Sequence, residues 1–467
     1  MDPFLLLFVG MVVVIGGIVW LKVHAFVALL AAGLIVAVLT PPAHIERMAL
    51  AGGATPAAAT ARANEPIGVK VANLFGKSCT QLGLLIAMAS IIGVSLLASG
   101  GAERIVQAAL SLFGESRAPL VFGVCGFVLG IPIFFDTVFL LLIPLARAMA
   151  ARTGRNYLQY VLCIAAGTTM THSLVPPTPG PLFVANALKV DIGLMMVGGL
   201  VLGVITTSSG LAYAWWANRR WPAPVRAVEG GENSATPLRP AGELPPLSLA
   251  LLPIVIPVVL IGGLTVTQML IPGTPTARLM GQIGQPNIAL AVAAAVALGT
   301  LLWTLRGDRR AAKAQIQTAL ADAGTIILVT SAGGIFGGIL QETGVGVRIQ
   351  DLAEVYRIGV LPLAFFVTAL VRVAQGSATV AMVTSVGILG GVASSTSLGF
   401  HPLYIALAIG CGSKLVPWMN DSGFWVVGRM SGFTETETLR GFSAMLALMG
   451  VVGFLATLLG AWFFPLI

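Results

Sequence analysis

The chain has 467 residues, 57% hydrophobic and only 9% charged, with a net charge of +8. Soluble domains carry about 25% charged residues, so this composition excludes a soluble enzyme and specifies an all-α polytopic membrane protein. The basic surplus lies in loops beside apolar runs, as the positive-inside rule expects, and not in a nucleic-acid-binding patch. Cys79, Cys125, Cys163 and Cys411 stand in apolar surroundings without the spacing of a metal site or a disulfide framework.

Taken in order, residues 4–21 and 23–40 read as two spans, each near the ~20 residues that cross the hydrocarbon. The first has no basic start or cleavage site and is expected to be retained. Residues 41–79 are mixed and suit the interface, 80–99 form a third span, and a short amphipathic piece follows. Residues 118–147 are two short apolar arms around GIPIFFDTVF, a re-entrant hairpin with Asp136 and Thr137 at its tip. Residues 157–184 are a helix broken at PPTPGP, and 192–217 close an N-terminal repeat, 1–217.

Residues 218–246, rich in proline and charge, form a cytoplasmic linker. Residues 247–467 repeat the plan. Spans at 247–271, 286–305 and 323–341 lead to an amphipathic piece at 346–357. A hairpin at 360–392, a broken helix at 401–430 and a last span at 442–464 follow. Gly167 and Gly410, Gly180 and Gly423, and Asp136 and Thr379 each stand 243 residues apart. Five spans per half make the repeat inverted. Loop charges put Lys22, Arg147–Arg155, Arg219, Arg220, Arg226 and Arg306–Lys313 on the cytoplasmic side. Arg62, Lys70 and Lys77 fall on the opposite side.

Two stretches carry the chemistry. LVPPTPGPLF, 174–183, has four prolines inside an apolar run, so no helix continues through it. WMNDSGFW, 418–425, sets Asn420, Asp421, Ser422 and Gly423 at membrane depth. Carboxylates at such depth are costly and mark ion or proton routes, which singles out Asp421 and Asp136. Asp421 also suits an N-cap for a half-helix starting at Ser422. His172 is a third proton-coupling candidate. Gln375, Gly376, Ser377 and Thr379 offer the amide and hydroxyl groups that a polyhydroxylated acid requires. With Phe135, Asp136, Thr137, Thr171, Pro177, Thr178, Gly180 and the 420–423 group they form the expected substrate-binding set. Half-helix N-termini from Pro181 and Ser422 are expected to attract the anion, with Lys414 and Arg372 as less favoured partners. Glu342 is expected at the interface. No Walker motif, HExxH or Cys/His metal spacing occurs, so no cofactor, metal or enzymatic activity is expected.

GIPIFFDTVFLLLIPLA, LVPPTPGP, SAGGIFGGILQETGVG, RVAQGSATVAMVTSVGI, GCGSKLVPWMNDSGFW and GFTETETLR together resemble the gluconate:proton symporter (gluconate permease) family of the ion-transporter superfamily. The resemblance implies a bacterial inner-membrane homodimer with a scaffold and a mobile, elevator-type transport domain. It also implies import of gluconate or a related sugar acid with protons. The family's usual histidines are replaced here, at Thr178 and within Pro417–Met419, which keeps other small carboxylates open. A sodium/proton antiporter of the same superfamily, or a passive channel, is the alternative.

Overall fold

Apolar runs punctuated by proline, glycine and polar residues fold as helices that stop at those residues. The computed structural model describes residues 2–51, 53–226, 240–345, 359–395, 398–419 and 421–466, and all regular structure among them is helical. The first half comprises α1 (Pro3–Val19), α2 (Ala25–Leu39), α3 (Pro42–Ala51), α4 (Pro56–Ala63), α5 (Ile67–Ala98), α6 (Gly101–Phe113), α7 (Ala118–Leu129), α8 (Phe135–Thr153), α9 (Tyr157–Leu174), α10 (Pro179–Ala187) and α11 (Ile192–Arg220). The second comprises α12 (Leu247–Leu270), α13 (Pro275–Ile283), α14 (Pro286–Thr304), α15 (Arg309–Glu342), α16 (Val360–Gln375), α17 (Ala378–Ser395), α18 (Leu403–Gly412), α19 (Ser422–Ser431) and α20 (Glu435–Phe463). Three pairs of helix starts lie 243 residues apart: Phe135 and Ala378, Pro179 and Ser422, Ile192 and Glu435.

Ten crossings were expected. Among the described residues six helices are long and apolar enough to cross a membrane, or eight if each sharply bent pair is one span. Other apolar helices, such as Val360–Ala374 and Leu403–Gly412, are only 10–17 residues long, because the breaks cut their runs short. The two longest, α5 and α15, pack side by side, with α2 against α15 and α14 against α5. α9 is buried between α7 and α11, and α18 between α16 and α20. The long helix α15 also takes α17 against it. A Cβ on Gly337 would lie 2.8 Å from the Cα of Gly387, so this backbone contact requires glycine.

Three sequence expectations change. The third span starts at Ile67, well before residue 80. Lys70, which made this stretch look interfacial, is buried and bonded to Glu342 at 2.7 Å. Glu342 is correspondingly buried and receives Arg62 as well, at 2.9 Å, so it is no interfacial carboxylate. The span before the linker runs to Arg220, and Arg226 forks onto Glu437 at 2.6 and 2.9 Å, which ties residues 221–226 to the start of α20. The amphipathic piece at 346–357 and linker residues 227–239 lie outside the described residues.

Candidate functional site

Helix breaks converge on a central cavity of about 210 Å³, room for roughly seven waters. The first break, 130–134, delivers Phe134 and then Phe135 and Asp136 in the first turn of α8. Asp136 lies just past this break, as a carboxylate in the first turn of α8, where the helix dipole favours negative charge. One turn apart on α9, Thr169 and His172 face the same space. The His172 ring meets Phe134 edge-on at 5.8 Å, and its buried Nδ1 has no partner among the described residues.

The second half supplies most of the charge. α16 ends at Gly376, whose φ of +87° places it in the left-handed region that glycine favours, and its N–H bonds the Arg372 carbonyl. That stop turns the chain so that Arg372, Gly376, Ser377, Ala378 and Thr379 all reach the cavity. Beyond α18 the chain is non-helical from Ser413 to Met419, a stretch that includes Lys414. Asp421 caps α19 by accepting the Gly423 N–H at 2.6 Å, and its other oxygen accepts from Arg372 Nη2. The expected N-cap role of Asp421 is thus present, together with an ion pair to Arg372. Phe442 and Leu446 of α20 close the wall, with Phe442 inside a π turn, a distortion frequent at functional sites.

Arg372, Lys414 and Asp421 are 4%, 3% and 6% exposed. Burying charges at this level requires partners. Arg372 has one, yet its Nε and Nη1 are unpartnered among the described residues, and no described side chain pairs with Lys414. The arrangement has two carboxylates, two cations and an open cationic edge around one cavity.

The expected residues divide. Phe135, Asp136, Gly376, Ser377, Thr379, Asp421, Ser422, Gly423 and His172 line the cavity. Thr137, Thr171, Pro177, Thr178 and Gly180 are not among its lining residues. Thr171 and Thr178 are buried and spend their hydroxyls on Gly167 and Val175 carbonyls at 3.0 and 2.6 Å. Gly180 is pressed against α17, where a Cβ would meet Met382 Sδ at 2.9 Å. The start of α10 is thus packed into protein and presents no anion site to this cavity. Asn420 and the Gln375 side chain lie outside the described residues. Lys414 and Arg372, ranked low from sequence, stand at the centre. The available signal was their position inside apolar runs, where an ordinary snorkelling cation has no reason to be fully buried.

Membrane-length helices flank shorter apolar helices whose breaks meet at a buried, charged cavity, an architecture that suits a membrane transport protein. The chain belongs to the GntP permease family, whose pattern matches residues 54–463. It is therefore a multi-pass inner-membrane transport protein and not an enzyme. It is similar to the inner membrane permease YgbN of Escherichia coli, 30% identical over 463 residues, covering 96% of each chain. It is 32% identical to a gluconate permease of Pseudomonas aeruginosa over 387 residues, 82% of this chain and 85% of that one. It is 29% identical to the Gnt-II system L-idonate transporter of E. coli over 396 residues, 83% and 87% of the two chains. Among solved structures, the YdaH transporter of Alcanivorax borkumensis shares the fold at a TM-score of 0.59 and 14% identity, covering 85% of this chain and 88% of that one.

Proposed function

We propose that this permease imports a sugar acid, gluconate or a close relative, together with a proton. The charge balance of the cavity carries the reading. Asp136 and Asp421 offset Arg372 and Lys414, with His172 as the remaining titratable group on the wall. An arriving carboxylate adds one negative charge to a buried site, where an unbalanced charge is costly. A proton on Asp421 or Asp136 restores the balance, so anion and proton enter more easily together than apart. Protonation of Asp421 also frees Arg372 to bind the incoming carboxylate beside Lys414. Charge-assisted bonds of this kind are the stronger hydrogen bonds. Ser377, Thr379, Thr169 and Ser422 offer hydroxyls to the rest of the ligand. Relatives named for gluconate and L-idonate support this substrate class.

The same reading extends to movement. The helix starts repeated at 243 residues support two inverted halves. α5 and α15, with α1–α2 and α12–α14, serve as scaffold in a homodimer. The broken elements α7–α10 and α16–α19 carry the substrate past them. A sodium/proton antiporter is disfavoured, since two buried cations beside the carboxylates repel a sodium ion.

The test is uptake of labelled gluconate into proteoliposomes with an inward proton gradient and with it collapsed. Accumulation that vanishes with the gradient supports the proposal. Accumulation driven by sodium alone overturns proton coupling. Accumulation of a different carboxylate, with gluconate ignored, overturns the substrate assignment.

A further inference from the structure

A second cavity, of about 260 Å³, lies where α5, α10, α15 and α17 meet. Arg62, Lys77 and Lys189 line it, with the amides of Gln81, Asn186 and Gln341. No acidic side chain is among its described lining residues. Arg62 is engaged by Glu342, but Lys77 and Lys189 have no ion pair among the described residues. The cavity sits at the Gln341 end of α15, whose opposite end starts at Arg309 in the basic Arg306–Lys313 segment. A 34-residue helix is about 50 Å long, so these two basic groups mark opposite ends of the molecule. Positive charge on one end follows from topology alone. Positive charge on the other end needs a second cause.

We infer that this vestibule is a second anion site, holding the carboxylate substrate before it reaches the central cavity. The inference rests on the proposed import of a carboxylate. Position supports it. α17 lines both spaces, with Thr379 at the central cavity and Val386 at the vestibule, about 10 Å apart along the helix. Between them Met382 closes against Gly180. The amide of Gln81 is presented from the π turn Cys79–Gly83, the second such distortion beside a cavity in this chain. Unpaired cations in a cleft focus the field and raise local anion concentration.

Two measurements test this in phosphatidylcholine proteoliposomes, which exclude anionic lipid as the source of the effect. The first uses Asn186→Cys in a Cys79→Ser background, leaving only buried native thiols. An anionic methanethiosulfonate should modify this thiol about 10-fold faster than a cationic one, after correction for free-thiol rates. The preference should collapse when Lys77→Gln and Lys189→Gln are added, and at about 1 M salt. Equal rates, or a preference that survives both substitutions, overturn the vestibule. The second is uptake by the Lys77→Gln/Lys189→Gln protein with native cysteines, whose apparent KM should rise about 10-fold at low salt with the maximal rate retained. An unchanged KM overturns the role in uptake. If the unsubstituted protein takes up no sugar acid, the functional reading fails on its own, and the thiol rates still decide whether the vestibule is an anion site.

Discussion

The two broken helices hold corresponding places, before Pro179 and before Ser422, yet they do different work. The first opens through proline sterics. Thr178 spends its hydroxyl on the Val175 carbonyl, and α11 closes over the break. A Cβ on Gly199 of α11 would come within 2.1 Å of the Leu174 carbonyl. The second opens where Lys414 and Asp421 interrupt an apolar run, and it leaves its charges facing a cavity. Two breaks at corresponding places thus differ in kind: one is packed into protein and the other sets charged side chains along a cavity.

The largest effect expected from breaking this contrast is at Asp421. Asp421→Asn keeps a good N-cap but removes the titratable charge. Proton-driven accumulation of substrate should fall at least about 10-fold, while exchange of labelled for unlabelled substrate continues, as the proposed charge balance requires. Retained accumulation would reduce Asp421 to a cap. Next is Lys414→Gln, which removes a charge-assisted bond of about 1.5–3 kcal/mol. The apparent KM should rise roughly 10- to 100-fold with little change in thermal stability. An unaltered KM would place the carboxylate elsewhere.

At the first break the effects should fall on folding instead. Gly199→Ala forces a methyl into a backbone carbonyl and should cost about 1–3 kcal/mol, read as a lower unfolding temperature of the purified protein. The smallest effect is Thr178→Val, which deletes one internal hydrogen bond and should cost about 0.5–1.5 kcal/mol. Its KM should not move. A KM shift for Thr178→Val would show that the first break touches substrate after all and would erase the contrast.

Asp136, Ser377 and Asp421, which line the central cavity, stood out in the sequence because a polar group inside an apolar run has few structural excuses. Thr178 was misread by the same logic, since lying at a helix break does not decide which way a side chain faces. Arg372 and Lys414 were ranked low because a long cation can bury its stem and carry its head to the interface. Glu342 looked interfacial because it ends a glycine-rich apolar run.

Sequence alone determined the membrane class, the helical fold and the helix breaks at 174–183 and 418–425, though not where every span begins or ends. Those properties are local: hydrocarbon length, the missing N–H of proline, the left-handed freedom of Gly376. Tertiary structure decided which charges meet. Arg372 and Asp421 are 49 residues apart in the chain, and Lys70 and Glu342 are 272 apart. No periodicity within either run encodes these pairings. They arise because buried charge is tolerated only where distant helices bring its counter-charge into contact.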